Sequence, residues 1–267
     1  MNHLQSVASH AALKAGGILR DNIRGLREIR YKGDINLVTE MDMKSERIVV
    51  DTILDAFPDH GIIAEEETVI RSRSEFTWII DPLDGTTNYA HGYPCFSVSI
   101  ALERGDEIVL GVVYDPMRDE LFTARKEEGS YLNRQRISVS ATDTLIKCLL
   151  ATGFPYDRTV SRRNNMDYFH DLLMASQEVR RDGSAALDLC SVACGRFDGF
   201  WELKLKPWDV AAGTLIVIEA GGMVSGLAGK TFSIHDDEVL ASNGIIHGQM
   251  MEILGRAGMR RGHHPDL

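Results

Sequence analysis

The sequence predicts a mixed α/β sandwich whose two lobes meet near residue 140. Three observations carry this reading. Apolar residues recur at helical spacing near both ends of the chain. In the middle, β-branched runs are joined by very short polar links. Beyond them, strand-like and helix-like stretches alternate. A chain of 267 residues is long enough for a sizeable core, as one large domain or two joined lobes. Its 44% hydrophobic and 25% charged content is ordinary for a globular protein.

In chain order, Leu4, Val7, Ala8, Ala11, Ala15, Ile18 and Leu19 define an amphipathic helix over the first two dozen residues. A second helix fits MDMKSERIVVDTILDAF and stops before Pro58, which cannot continue it. GIIA and FTWII are strand-like. After the Asn88 to Pro94 loop, CFSVSIAL, EIVLGVVYD and ELFTA, linked by RGD and PMRD, form an antiparallel meander. LIKCLLATG reads as a strand, residues 165–175 as a helix, SAALDLCSVACG as a helix closed by Gly195, and GFWEL as a strand. Pro207 opens a helix running through WDVAAGTLIVIEA to Gly221 and Gly222. EVLASN and a last helix, IIHGQMMEILGRA, complete the fold, and the polar tail with His263 and His264 reads as a solvated end.

An excess of 39 acidic over 29 basic residues gives a formal charge of -10, which argues against broad attraction to nucleic acid or anionic membrane. A polyanion can still bind where metal cations reverse the local sign. The N-terminus lacks the apolar centre of a secretion signal, and VAAGTLIVIEAGGMV is interrupted by Glu219 and too short to span a bilayer, so the expected location is cytoplasmic. Cys95, Cys148, Cys190 and Cys194 form no CxxC pair, which disfavours a zinc site or a disulfide scaffold. Cys190 and Cys194, one helical turn apart, read as small buried thiols before they read as half a metal site.

Three acidic clusters fall where strand-like runs end or a helix begins. Glu65, Glu66 and Glu67 follow GIIA; Asp81 and Asp84 follow FTWII; Asp209 sits in the turn after Pro207. These are the ends of a sheet, where α/β folds hold ligands. Carboxylates gathered so closely repel one another toward protonation unless a cation holds them, and hard divalent ions such as Mg²⁺ prefer oxygen donors. Asp81-Pro82-Leu83-Asp84 offers two carboxylates and the Leu83 carbonyl in one turn. Gly85-Thr86-Thr87 then offers amides that can cradle a phosphate at a glycine-led helix start. An ordinary turn would explain an isolated Asp84-Gly85 pair, but it does not explain the string DPLDGTTN together with AEEE and PWD.

The strings WIIDPLDGTTNYAHGYP and LKPWDVAAGTLIVIEAGG closely resemble the two signatures of the inositol monophosphatase family, in its bacterial branch. DINLVTEMD, IIAEEE, VVYDPMRDELFTA, ATGFPY and RRDGSAALDLC extend the likeness over nearly the whole chain. The resemblance implies the layered αβαβα sandwich of the inositol monophosphatase and fructose-1,6-bisphosphatase type, with a metal-binding lobe over about residues 1–140 and a substrate-binding lobe over about 141–267. It also implies Mg²⁺-dependent hydrolysis of a small phosphate monoester, inhibition by lithium and a homodimer; the net charge, as above, leaves nucleic acid and membrane out as expected partners. Carried over residue by residue, Glu65, Asp81 and the Leu83 carbonyl hold a first ion. Asp81, Asp84 and Asp209 hold a second, and a weaker third ion lies near Glu65. Relatives usually read GEES where this chain has AEEE, so Ala64 and Glu67 depart from the pattern beside that third site.

In such a pair the ions, about 3.5 to 4 Å apart, clamp the attacking and leaving oxygens of an in-line displacement. By the same resemblance Thr86, Asp42 and Glu65 are the catalytic residues, with Thr86 and Asp42 as a proton relay. Asp42 has a second reading as partner of Thr39 in a capping box. Asp84, Gly85, Thr86, the Gly183-Ser184-Ala185 turn, Glu202 and Asp209 would contact substrate, although Gly183-Ser184 alone reads as a helix N-cap. Lys32 and His91 are left as loop residues outside the catalytic set. Gly229-Lys230-Thr231 imitates the end of a phosphate loop, but Val224 occupies the place of its first glycine. HExxH and GxSxG do not occur, so zinc-peptidase and serine-hydrolase readings lack support. Fructose 1,6-bisphosphate, 3'-phosphoadenosine 5'-phosphate and histidinol phosphate remain alternative substrates, and an interaction protein with a second, non-enzymatic role the alternative class.

Overall fold

The computed structural model describes residues 2–23, 29–31 and 37–261; Lys32, His263 and His264 lie outside them. Helices α1 (Asn2–Asn22) and α2 (Glu40–Ala56) are separated in the chain by a ribbon of β1 (Ile29–Tyr31) and β2 (Leu37–Thr39). Next come β3 (Gly61–Ala64), β4 (Val69–Ile70), β5 (Phe76–Asp84), the short α3 (Thr86–Ala90), β6 (Ser97–Arg104), β7 (Glu107–Asp115), β8 (Glu120–Arg125), β9 (Gly129–Leu132) and β10 (Gln135–Arg136). These strands form an eight-stranded sheet in the order β10-β9-β8-β7-β6-β5-β3-β4. A 3₁₀ turn (Leu145–Lys147) then leads into β11 (Leu149–Thr152), α4 (Met166–Ala175), β12 (Glu178–Arg180), α5 (Ala185–Ala193), β13 (Gly199–Leu203), α6 (Pro207–Glu219), β14 (Met223–Ser225), β15 (Glu238–Ser242) and α7 (His247–Arg261). The second sheet is five-stranded, in the order β12-β11-β13-β15-β14.

The layers follow from strand alternation, because successive side chains of a strand face opposite sides. On β5, Trp78 and Ile80 pack with α1 and α2, whereas Ile79 packs with α5 and α6. On β13, Phe200 faces α5 and α6 while Trp201 joins Leu172 of α4 and Met250 of α7. The result is α1/α2, the large sheet, α5/α6, the small sheet and α4/α7, the layered αβαβα sandwich expected from the sequence. Residues 210–217 of α6 are all buried, as a helix apolar on every side between two sheets must be. Glu219, the charge that ends this run, accepts the Glu127 and Gly129 amides at 2.7 and 2.8 Å and so fastens α6 to the turn between β8 and β9. Among the described residues no helix is long and apolar enough to cross a membrane.

Two local expectations change. The strand expected to begin at Leu145 starts at Leu149, because Leu145 turns into the core and its carbonyl accepts the Cys148 amide at 2.9 Å, closing a 3₁₀ turn. The acidic string expected to be a turn after FTWII belongs to the strand itself, since β5 continues to Asp84. Its pairing with β6 slips between Asp81, opposite Ser99, and Asp84, opposite Ser97. An irregularity of this kind re-aims side chains at a strand end.

Candidate active site

Strands β3 and β5 run parallel with Ala64 beside Ile80, so Glu65 and Asp81 leave the same end of the sheet as neighbours. The Glu65 amide continues the ladder, donating to the Ile80 carbonyl at 3.1 Å. Asp81 is almost fully buried, and one of its oxygens is held by the Leu83 amide at 3.0 Å.

Behind these acids stands α2. Its buried face repeats at helical spacing, and beside Val49 and Ile53 it carries Asp42, Ser45 and Glu46. Each polar residue has a task at the site. Thr86 Oγ1 lies 3.0 Å from Asp42 Oδ1 and 3.1 Å from the Leu83 carbonyl, so its single proton is shared between two acceptors. Ser45 donates to the Pro82 carbonyl at 2.6 Å. Glu46 accepts the Glu66, Glu67 and Thr68 amides at 2.9, 3.1 and 2.9 Å and the Thr68 hydroxyl at 2.7 Å, which shapes the loop carrying Glu65.

The opposite wall comes from the second half of the chain. Ser184, the N-cap of α5, accepts the Leu187 amide and donates to Asp84 Oδ2 at 2.6 Å, while the Ala186 amide reaches the same oxygen at 2.8 Å. Ser184 therefore caps α5 and holds Asp84 at once. Asn88 donates to the Cys95 and Asp182 carbonyls at 2.8 and 2.7 Å, tying α3 to the loop that holds Gly183. Asp209 accepts the Lys206 amide at 2.6 Å from the first turn of α6. Gly85 has φ of 100°, and a Cβ there would come within 3.0 Å of the Cys95 carbonyl and 3.3 Å of that of Gly183. Because α3 has only five residues, any phosphate contact at its start depends on individual amides more than on a helix dipole.

The electrostatics identify the cluster as one unit. Burial raises the Asp81 pKa well above the ordinary carboxylate range, and the charges of Glu65, Asp84 and Asp209 raise it further. Burial also raises Asp84, opposed by its hydrogen bonds from Ser184 and Ala186 and by the charge of Arg181. Asp209 is pushed up to about 8, by burial of its carboxyl and then by Asp84, and Glu202 up to about 8, by burial and by Asp84 against the pull of Arg181. Among the described residues no three His, Cys, Asp or Glu side chains close into a ready ligand group. The fit to a metal lies in the donor chemistry: mutually repelling carboxylates and a carbonyl, all hard oxygens of the kind Mg²⁺ accepts.

Sequence reasoning missed Glu46, Ser45, Asn88 and Tyr156. For the first two the signal was present, since polar residues at the apolar positions of an amphipathic helix need partners. Tyr156 is half exposed, yet its hydroxyl end bonds to the Thr87 side chain, and burial followed by the charge of Glu65 pushes its phenol up to about 12. Asp188 on α5 is buried with Oδ1 lacking a hydrogen-bond partner. His91 is exposed, Lys230 pairs with Asp236 at 2.9 Å and Cys190 lies in the core, in keeping with the structural readings of all three.

The sequence profile described as the inositol monophosphatase family matches residues 1–258. The chain is 46% identical over 250 residues to a Synechocystis protein named inositol-1-monophosphatase, covering 93% of this chain and 87% of that one. It is 42% identical over 246 residues to the Nus factor SuhB of Vibrio cholerae, covering 91% and 92%. The fold matches the structure of inositol monophosphatase from Anabaena (Nostoc) with a TM-score of 0.88 and 43% identity, over 96% of each chain.

Proposed function

The chain belongs to the inositol monophosphatase family, and from that premise we propose that this phosphatase is Mg²⁺-dependent and hydrolyses myo-inositol monophosphate to inositol and inorganic phosphate. The observation that carries the reading is the convergence of Glu65, Asp81, Asp84 and Asp209 on one sheet end, each within the field of at least one other, beside the Thr86–Asp42 pair.

Glu65, Asp81 and the Leu83 carbonyl would hold one ion and Asp81, Asp84 and Asp209 another, with a weaker third near Glu65. Bound there, Mg²⁺ supplies a water acidified to near neutral pH and counter-charge for the departing alkoxide. The chain's own residues do the remaining work. Thr86, set between Asp42 and the Leu83 carbonyl, can accept a proton from the attacking water as it passes its own to Asp42. Leu83 keeps a second carbonyl lone pair while Thr86 occupies the first. The Gly85 and Thr86 amides orient the phosphoryl group. Asp84, Gly183, Ser184, Ala185, Glu202 and Asp209 receive the ring hydroxyls of the leaving alcohol. In this reading residues 1–140 form the metal lobe and 141–267 the substrate lobe, the enzyme is a lithium-sensitive cytoplasmic homodimer, and nucleic acid and membrane are not partners.

A second, non-enzymatic role is favoured by one observation, the 42% identity to a protein named as a Nus factor. The formal charge of -10 disfavours direct RNA binding as its basis. The decisive assay is phosphate release from inositol 1-phosphate, fructose 1,6-bisphosphate, 3'-phosphoadenosine 5'-phosphate and histidinol phosphate, with Mg²⁺ or with chelator. The highest kcat/KM for inositol 1-phosphate, abolished by chelation, is expected; activity indifferent to chelator refutes the proposal.

A further inference from the structure

Gly153 and Glu202 stand at the ends of neighbouring strands. β11 and β13 run parallel with Thr152 beside Trp201, so Gly153 and Glu202 are the next residue on each. A Cβ on Gly153 would lie 2.1 Å from Glu202 Oε1 and 2.3 Å from Oε2. The carboxylate thus rests on the bare Cα. Gly153 does not belong to the glycines with positive φ, so its backbone accepts any L residue and only space demands glycine. Glu202 is buried, within the field of Arg181 and Asp84.

The strand ends cannot easily part to admit a side chain. Asn165, fully buried, donates to the Gly153 carbonyl at 2.5 Å and to Thr152 Oγ1 at 2.8 Å, and accepts the Trp201 indole N–H at 2.8 Å. The Thr152 hydroxyl lies 2.5 Å from the Trp201 carbonyl. One amide and one hydroxyl bind both strands at the level of the glutamate. Such a fully satisfied buried network is rigid.

The geometry points to Gly153 as a positioning residue for substrate choice: its missing side chain is the seat of the Glu202 carboxylate, and the depth of that seat fixes which hydroxyls of a polyol leaving group the carboxylate can receive. This rests on the proposed role of Glu202 as a substrate contact. A carboxyl group seated in this way exchanges hydrogen bonds with neutral hydroxyls, so what the seat selects is the hydroxyl pattern of the leaving alcohol.

The test compares kcat and KM for inositol 1-phosphate and for p-nitrophenyl phosphate, which has no polyol hydroxyls, in wild type, Gly153→Ala, Glu202→Gln, Glu202→Asp and the Gly153→Ala/Glu202→Asp double variant at saturating Mg²⁺. Loss of one hydrogen bond predicts that Gly153→Ala raises KM for inositol 1-phosphate about tenfold, with kcat, and KM for the aryl ester, within about twofold of wild type. The double variant, whose carboxylate is one methylene shorter, is expected to recover more of the preference than the two single changes predict by addition. Gly153→Ala that matches wild type on both substrates, or that weakens both equally, overturns the inference. If Glu202→Gln alters the preference while Gly153→Ala does not, only the seat is wrong. If Glu202→Gln leaves the preference intact, the substrate role of Glu202 falls and the inference falls with it. Should Gly153→Ala fail to fold, the double variant decides: folded and active supports the seat, unfolded overturns it.

Discussion

The Ser184 hydroxyl reaches Asp84 Oδ2 at 2.6 Å across 100 positions of sequence, so the end of β5 is fastened directly to the start of α5. Ser184→Ala leaves a buried carboxylate short of a donor and is expected to lower unfolding free energy by about 1–3 kcal/mol. Urea denaturation measures it. Ser184→Thr keeps the hydroxyl and should lose less; equal stability of the alanine variant and wild type would show that the bond contributes nothing net.

The Thr86–Asp42 contact predicts a kinetic effect. Thr86→Ala should slow hydrolysis by about 10² to 10⁴, the range of general acid–base catalysis, while Mg²⁺ still raises the melting temperature. A wild-type kcat at saturating Mg²⁺ would remove Thr86 from the relay.

Asp81 is repelled by Glu65, Asp84 and Asp209 together. Asp81→Asn should abolish turnover, yet in excess chelator it should melt at or above the wild-type temperature because it relieves like-charge repulsion. A lower melting point in chelator would contradict this account of the cluster.

Glu46 binds three amides and a hydroxyl of the loop after Glu65. Glu46→Gln turns one acceptor oxygen into a donor facing those groups, so a loss of about 1–3 kcal/mol is expected. Hydrogen exchange at Glu66, Glu67 and Thr68 should accelerate while that of β6 and β7 does not. Uniform acceleration would assign Glu46 to global stability instead of loop order.

His247 is buried between Ser225 Oγ, 2.8 Å from Nε2, and Ser242 Oγ, 2.9 Å from Nδ1. Burial holds its pKa below the ordinary 6.5. The unfolded chain then binds the proton more readily, so this contribution to stability is complete above the unfolded pKa and is lost as the pH falls through it toward the folded one. His247→Gln should flatten the stability profile below pH about 6.5, the ordinary histidine value. An unchanged acid slope, measured by denaturation at stepped pH, would exclude His247 as its source.

Strongly patterned elements were legible in the sequence: α2 by its periodic apolar face, β7 and β13 by their β-branched or aromatic runs, and α6 by its long apolar run, each between clear end signals. The strands β4, β10, β12 and β14 have only two or three residues. Such pieces form because a neighbouring strand offers a ladder, a fact of tertiary structure with no local pattern. The acids were readable as a set because their spacing made little sense without a ligand. That Asp81 and Asp84 lie within a slipped strand, and that Glu46 carries the Glu65 loop, depends on the pairing of β5 with β6 and on what α2 faces. Gly153 had no local mark, because the group it makes room for is 49 positions away in the chain.

The polar ties that assemble the acid cluster span 44 positions from Asp42 to Thr86 and 100 from Asp84 to Ser184. Closing loops of that length is entropically slow, and topologies dominated by distant contacts fold late. Affinity for a divalent ion should therefore appear only in the final phase of refolding, after the helices have gained their signal. During synthesis on the ribosome, Glu65, Asp81 and Asp84 must wait for Ser184 and Asp209 to emerge, so a nascent chain ending before α5 carries three acids of the cluster without the fourth and without the hydroxyl that holds Asp84.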